Sequence, residues 1–586
     1  MEQDEVRVIV AGVTTTATTS AQHPLIETHR ETLEAARAAL AERSYYSRYP
    51  ESPSPRVYGE SAPQDGEQAF EEALNTDFDA LADQPSTGQS VGSEVSPYGP
   101  TLGVRYPQLD VEAAMRAARE AMPAWRDAGA STRAAVCVQI IESINARSHE
   151  MAHAVMHTSG QPFVMSFQAG GPHAQDRALE AVVAALVEQE RVPETVLWEK
   201  PAKGEPIRMQ KDYRIVPRGV ALVIGCNTFP TWNAYPGLFA SLATGNPVII
   251  KPHPRAVLPL ALTVAIARDV LGQAGFDKAL VQLAAEDDPQ AGADGLAKTL
   301  ALRPEVAIID YTGGPGFGEW LEREATPAGK LVYAEMAGLN TIVIDSTDDL
   351  KGMLGNLAFS FCLYSGQMCT APQNLYLPAD GISTDQGQLS FEEAAERIAG
   401  AITRFTADDT KAVEILGAMV NDDVRGRATD VPALAQRLGG ELVLDSRAVE
   451  HASYPDAVVR TPALIAVDAG NDTAYTKECF GPVAFLIRTD STQESVETFR
   501  STVREHGGMT AAVYSTDEDV LAATREAAAD AGVALSENLT GQIFVNQTAA
   551  FSDYHGTGAN PAANAAYTDA AFVSGRFRVI TSRRHI

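Results

Sequence analysis

Cysteine is scarce in this chain of 586 residues, and the five present, Cys137, Cys226, Cys362, Cys369 and Cys479, are odd in number and scattered. No C-x-x-C pair or histidine-rich neighbourhood accompanies them, which removes the sequence signatures of a structural zinc and of a disulfide-stapled module. Reduced thiols and no metal are expected. Basic residues are also in short supply: 46 Lys and Arg against 76 Asp and Glu leave a formal charge of -30. That field repels nucleic acid and anionic membrane, and no basic stretch is long enough to reverse it locally. Long apolar runs are missing too, since no window reaches the roughly 18 residues a membrane helix needs. The start, MEQDEVRVIVAGVTTTATTS, has no basic segment followed by an apolar one. A cytoplasmic protein with neither nucleic acid nor membrane as partner is expected.

What is there is ordinary globular composition, 45% hydrophobic and 21% charged, on a length that allows roughly two to four packed units. Residues 1–100 form an N-terminal helical extension and connector. Thr28 and Glu31 have capping-box spacing ahead of a face carrying Leu33, Ala36 and Leu40, which predicts a helix over about residues 28–48. The stretch QPSTGQSVGSEVSPYGPTLG is dense in Gly, Ser and Pro and is expected to be a connector or surface wrap. Beyond it, helical patterns such as VEAAMRAAREAMPAW and RALEAVVAALVEQE alternate with short apolar runs, VALVIG, NPVII, VAIID and NTIVI. That alternation predicts an α/β fold with parallel sheet. A second α/β unit holds FEEAAERIAGAITRF, TPALIAV and MTAAVYS, and RFRVITSRRHI reads as a late strand.

Four places carry chemistry. Cys369 lies in LYSGQMCTAPQNLYLP, where turn formers crowd one thiol as they must if a loop presents a nucleophile and its N–H groups meet an oxyanion. A lone cysteine is more often an inert buried thiol. Glu335 ends the apolar run of KLVYAEMAGLN; desolvation there is expected to raise its pKa and suit it to act as a general base, the alternative being a strand-end salt bridge. In VAIIDYTGGPGFGEWLERE a strand runs through Gly313, Gly314 and Gly318 into a helix, an arrangement that suits a dinucleotide phosphate. Lys251, at the end of NPVIIKPHP, could offer its ammonium to ribose hydroxyls or simply reach solvent.

Taken in order, PRGVALVIGCNTFPTWNAYPGLFASLATGNPVIIKP, TGGPGFG, AEMAGLN, GQMCTAP, ECFGPVAFLIR and MTAAVYS resemble the aldehyde dehydrogenase superfamily from about Leu109 onward. Cys369 follows Glu335 by 34 residues, the separation that family shows between base and nucleophile. The resemblance implies a Rossmann-type cofactor domain (residues 101–336), an α/β catalytic domain with the nucleophilic cysteine (337–538) and a C-terminal return with an oligomerisation tail strand (539–586). It implies Cys369 as nucleophile, Glu335 as the base for hydrolysis, Lys251 at the adenosine ribose, Gly313, Gly314 and Gly318 by the pyrophosphate, Glu478 at the nicotinamide ribose and Phe480 near the nicotinamide. It further implies NADP or NAD as cofactor, an aldehyde as substrate, and a homodimer or homotetramer.

Two departures stand out. The family's oxyanion asparagine falls on Thr228, with Asn227 one residue earlier, so either side chain is a candidate donor. In KPHP, Pro254 replaces the glutamate usual three residues after the lysine; without that acid a 2′-phosphate is admissible, with His253 or a nearby arginine in support, and the reading leans to NADP+. The segments AERSYYSRYPESPSP, VYGESAP and SPYGPTLGVRYP more narrowly resemble the PaaN subfamily of phenylacetic acid degradation, which implies a semialdehyde from aromatic breakdown, carried on coenzyme A. The alternatives are a CoA-acylating dehydrogenase and a weakly active scaffold subunit of the same fold.

Overall fold

The computed structural model describes residues 23–287, 295–336 and 338–586; the chain start discussed above and Ala337, at the expected boundary between cofactor and catalytic units, lie outside them. Five apolar runs form β1 (Val220–Ile224), β2 (Val248–Lys251), β3 (Val281–Leu283), β4 (Val306–Thr312) and β5 (Leu331–Glu335). They pair in parallel in the order β3-β2-β1-β4-β5. All five residues of β1 are buried, because helices cover both faces and leave no wet side to impose polar alternation. A seven-stranded sheet follows from β6 (Thr341–Ile344), β7 (Asn374–Pro378), β8 (Glu441–Leu444), β9 (Ala463–Asp468), β10 (Val483–Thr489), β11 (Thr510–Tyr514) and β12 (Ala534–Glu537). Its order is β8-β9-β10-β7-β6-β11-β12, parallel except for the edge strand β8. The fold is the mixed α/β architecture expected. No helix among the described residues is long and apolar enough to cross a membrane.

The N-terminal extension differs from expectation in two ways. The single helix breaks at His29 into Pro24–Thr28 and Arg30–Glu42, and the Thr28/Glu31 capping box does not form: the Thr28 hydroxyl donates to Pro24 O inside the first helix. A tertiary contact prevails over the local signal, with buried His29 placing Nε2 3.0 Å from Gln139 Oε1. The Gly/Ser/Pro stretch also holds regular structure. Its Ser86–Val91 portion is a strand paired antiparallel with Tyr106–Leu109, and Ala36, Tyr49, Phe70 and Leu81 join the same apolar cluster as β1 and β2.

One contact of the extension is pH-sensitive. Phe70 on α1 (Ala62–Ala73) stacks on His157 of α2 (Ser148–Ser159) with ring centroids 4.9 Å apart, and His157 Nδ1 lies 3.0 Å from Ser96 Oγ. Burial, reinforced by neighbouring imidazoles, pushes His153 and His157 down to about 4. Unfolded histidine binds its proton near pH 6.5, so the unfolded segment takes up more protons. The contact is therefore at full strength above about pH 6.5 and weakens as pH falls toward about 4. Limited proteolysis across this range is expected to cut the extension progressively faster on acidification, and His157→Phe to flatten that dependence.

The tail Phe577–His585 pairs antiparallel with Ile207–Pro217, which also pairs with Thr195–Lys200. This three-stranded sheet leaves Leu197, Ile207 and Ile580 exposed.

Candidate active site

The two sheets meet through short connections. Glu335 closes β5 at the carboxyl end of the first sheet, and Cys369 sits on the loop between α4 (Leu350–Cys362) and β7. A separate helix, α3 (Pro230–Ala243), starts at the turn leaving β1, with proline at its first position where a missing N–H costs nothing.

The cysteine loop is held in an uncommon backbone shape. Tyr364, Ser365 and Gly366 all have positive φ, at 53°, 51° and 67°, and the two with side chains cost about 1–2 kcal/mol each. Hydrogen bonds hold them: Tyr364 N–H donates to Ile415 O at 2.8 Å, and the buried Ser365 hydroxyl lies 3.3 Å from Gly417 O and 3.2 Å from Arg460 O. Glycine is required at 366, because a Cβ there would lie 2.6 Å from Gly481 O, in the loop that carries Glu478 and Phe480. Past the turn, the Asn340 amide donates to Cys369 O at 2.7 Å and Ala371 O at 2.9 Å, while its oxygen accepts from the N–H groups of Met509 and Thr510. One buried asparagine thus pins the cysteine loop to β11.

At the centre, Glu335 is 1% exposed. Its Oε2 accepts from Asn233 of α3 at 3.0 Å, and its Oε1 lies 3.2 Å from His555 Nε2. The same Nε2 lies 3.8 Å from Cys369 Sγ. Burial pushes the Glu335 carboxyl up, but His555, with hydrogen bonds from Cys369 and Tyr567, pulls it further down, so the net position is below the usual carboxylate range. This corrects the expectation of a raised pKa: desolvation is the largest single effect, but His555, Cys369 and Tyr567 together outweigh it, and Glu335 stands ionised at neutral pH. Burial and the Glu335 charge push the Cys369 thiol well above its ordinary value.

The other expected residues are spread along the same edge. Lys251 ends β2, 5% exposed, and its ammonium pairs with the carboxylate of Glu286, just beyond β3. An acid is therefore present at the lysine although Pro254 is not one. His253 Nδ1 accepts from Arg255 N–H at 3.2 Å. Gly313 follows β4, Gly314 caps the helix Pro315–Glu324, and Gly318 packs on Met336. Open space beside Gly314 and Gly316 at a helix start, together with the Lys251–Glu286 pair on the same sheet edge, fits a dinucleotide. Burial pushes Glu478 up to about 7 against the Gly338 N–H and Arg427. Phe480 packs beside Met419, Val420 and Val424, and its carbonyl accepts from Arg427.

At the turn after β1, the Asn227 amide donates to Thr158 O at 2.8 Å and the Thr228 backbone carbonyl accepts from Gln161 at 2.7 Å. Sequence reasoning missed His555, Asn233, Asn340 and Glu286. Asn233 and Asn340 fall inside quoted motifs, but nothing in their spacing singles them out, and His555 and Glu286 lie in stretches with no motif.

Comparison with known proteins agrees with this geometry. The sequence profile of the aldehyde dehydrogenase family matches residues 104–558, more than half of the chain. The crystal structure of an NAD-dependent aldehyde dehydrogenase from Burkholderia multivorans is similar at 54% identity and TM-score 0.93, covering 96% of this chain and 99% of that one. N-succinylglutamate 5-semialdehyde dehydrogenase of Vibrio cholerae is 26% identical over 439 residues, 74% of this chain and 82% of the relative. Benzaldehyde dehydrogenase of Pseudomonas putida is 25% identical over 390 residues, 66% of this chain and 73% of the relative. The chain belongs to the aldehyde dehydrogenase family, whose members are NAD(P)-dependent oxidoreductases.

Proposed function

We propose that this enzyme oxidises an aldehyde to a carboxylic acid through a thioester on Cys369, which Glu335 then hydrolyses by deprotonating a water. The observation that carries this reading is the meeting of a thiol, an imidazole and an ionised carboxylate within hydrogen-bonding reach at the junction of the two sheets. The sulfur attacks the aldehyde carbon, and the oxyanion so formed meets the loop N–H groups and the Asn227/Thr228 turn. A nicotinamide cofactor, when bound, accepts the hydride and so supplies the oxidation. Lys251, Glu286, Gly313, Gly314 and Gly318 hold the dinucleotide, with Glu478 and Phe480 toward its nicotinamide end. Glu335 completes the cycle by taking a proton from water, whose oxygen displaces the sulfur.

Glu335→Gln tests the last step. Turnover is expected to fall by about 10²- to 10⁴-fold, while a burst of reduced cofactor near one per site survives because the thioester still forms. Restoration of turnover by added coenzyme A would favour the acylating alternative instead. For the cofactor, NAD+ is the proposed preference, because the Glu286 carboxylate accepts ribose hydroxyls and repels a 2′-phosphate. Glu286→Gln is expected to raise the NADP+/NAD+ ratio of kcat/KM about tenfold; an unchanged ratio places Glu286 away from the ribose.

The substrate proposed is an apolar or aromatic-derived semialdehyde, CoA-linked as the PaaN likeness implies. Met165, Phe229, Leu363, Tyr364 and Met368 form an apolar cluster that Trp232 joins beside the cysteine loop, which supports an apolar acyl chain. A panel of free and CoA-linked aldehydes, read by reduced-cofactor absorbance, ranks these. The exposed apolar residues of the tail sheet support a homodimer or homotetramer, and the free cysteines support a cytoplasmic location.

A further inference from the structure

His555 has no place in the mechanism just given, yet its Nε2 lies 3.8 Å from the Cys369 sulfur. It is 3% exposed, on a return segment whose backbone is fixed by Tyr567 N–H donating to His555 O at 2.9 Å. Its ring lies edge to face with Trp232, centroids 4.6 Å apart, and 5.4 Å from the Tyr567 ring. These contacts aim Nε2 at two atoms only, Cys369 Sγ at 3.8 Å and Glu335 Oε1 at 3.2 Å. The Nε2 atom thus faces the sulfur on one side and the Glu335 carboxylate on the other, so a proton held there is shared between the thiol and a neighbouring negative charge.

Apart from Glu335, which accepts from the thiol but is assigned to the water in the hydrolytic step, no group facing this imidazole offers the thiol a proton acceptor. Asn233 and Trp232 are neutral; Tyr567 is a phenol whose burial and Glu335 neighbour hold it in its protonated form. Arg177 lies beyond Trp232, 5.7 Å from its ring, and Cys226 and Glu478 act on the thiol only at longer range. A buried thiol beside a carboxylate is a poor nucleophile. An imidazole is the side chain able to take and give a proton near neutrality.

We propose that His555 takes the thiol proton of Cys369 as the sulfur attacks the aldehyde, and returns it when the thioester is hydrolysed. This rests on Cys369 being the nucleophile. In the first half, the S–H bond breaks as the S–C bond forms, the proton moves to Nε2, and the carbonyl π pair moves to oxygen. The imidazolium so made is held by the Glu335 carboxylate. In the second half, Glu335 takes one proton from the attacking water, the C–S bond breaks, and the departing sulfur recovers its proton from Nε2. Glu335 then releases its proton to solvent, which balances the reaction. His555 is in these terms a catalytic residue, paired with Cys369 as general base and then general acid.

The test is the pH dependence of alkylation of Cys369 by iodoacetamide, followed on its own peptide by mass, in the wild-type enzyme, His555→Gln, His555→Ala and Cys369→Ala. Wild-type alkylation is expected to show a first rise as the His555 imidazole becomes free to accept the proton, ahead of the rise where the thiol ionises unaided. In both His555 variants that first rise is expected to vanish, the rate near neutral pH to fall about 10- to 100-fold, and kcat/KM to fall about 10²-fold or more. Added imidazole is expected to restore part of the turnover of His555→Ala. The proposal is overturned if folded His555 variants keep the wild-type profile and rate. A wild-type profile with a single rise at high pH overturns it without any variant. Retained turnover in Cys369→Ala would instead sink the nucleophile assignment itself, so the two failures are told apart.

Discussion

Cys369→Ala is expected to lower turnover by about 10⁴-fold or more, with the thermal midpoint close to wild type. Activity is lost because no other thiol takes its place: Cys137 and Cys362 are fully buried, and Cys226 and Cys479 stand outside the cluster that Cys369 forms with Glu335 and His555. Stability is kept because the Cys369 side chain packs only lightly, against a small cluster of Met509, Ala562 and Ala563, while the loop is held by backbone groups bonded to Asn340. Reduced-cofactor absorbance and a melting curve on one preparation check both halves. Wild-type turnover in the variant would make Cys369 a structural thiol and overturn its assignment as nucleophile.

The second large effect lies far from the thiol. Arg576, 0% exposed, reaches from the C-terminal return to Asp310 of β4 with two hydrogen bonds, at 2.8 and 2.6 Å, and to Ser241 of α3 at 2.7 Å. Its guanidinium also lies over the rings of Phe572 and Tyr333, at 4.2 and 4.5 Å. The approach of α3 to Asp310 needs glycine at 237, where a Cβ would sit 2.5 Å from the Asp310 carboxyl carbon. Arg576→Met leaves that carboxylate buried and uncompensated, and a loss of about 3–5 kcal/mol is expected, read as a large fall in melting midpoint. Replacing both partners, in Arg576→Met/Asp310→Leu, is expected to recover much of it, since the penalty belongs to the unpaired charge. If the double variant is no more stable than the single one, the site is held by packing of the arginine stem instead.

These two sites differ in how far the sequence exposes them. Cys369 stands out because a nucleophile loop needs small turn formers next to the thiol, and LYSGQMCTAP spells them consecutively. The strands β1, β2, β4 and β6 are legible for a related reason: burial on both faces leaves unbroken apolar runs, a local signature of a parallel sheet. The glycine turn after β4 and Lys251 at the end of β2 follow, because both are set by position relative to a strand. Glu335 is legible as a site residue but not in its charge state. Local apolar neighbours argue for a raised pKa, and the side chains that together reverse the sign, His555, Cys369 and Tyr567, come from elsewhere in the chain.

The sequence by itself thus determined the fold class, the order of the two sheets and the candidate nucleophile, since each is written in contiguous residues whose periodicity or turn chemistry is local. Tertiary structure alone decided the partners. It set His555 against Cys369, Glu286 against Lys251 in place of the missing acid at Pro254, Arg576 against Asp310, and it broke the helix expected over 28–48 where His29 meets Gln139. The reason is physical: a contact between side chains hundreds of positions apart leaves no periodic trace in either stretch, yet at 3–4 Å in a buried setting it outweighs what the local residues prefer.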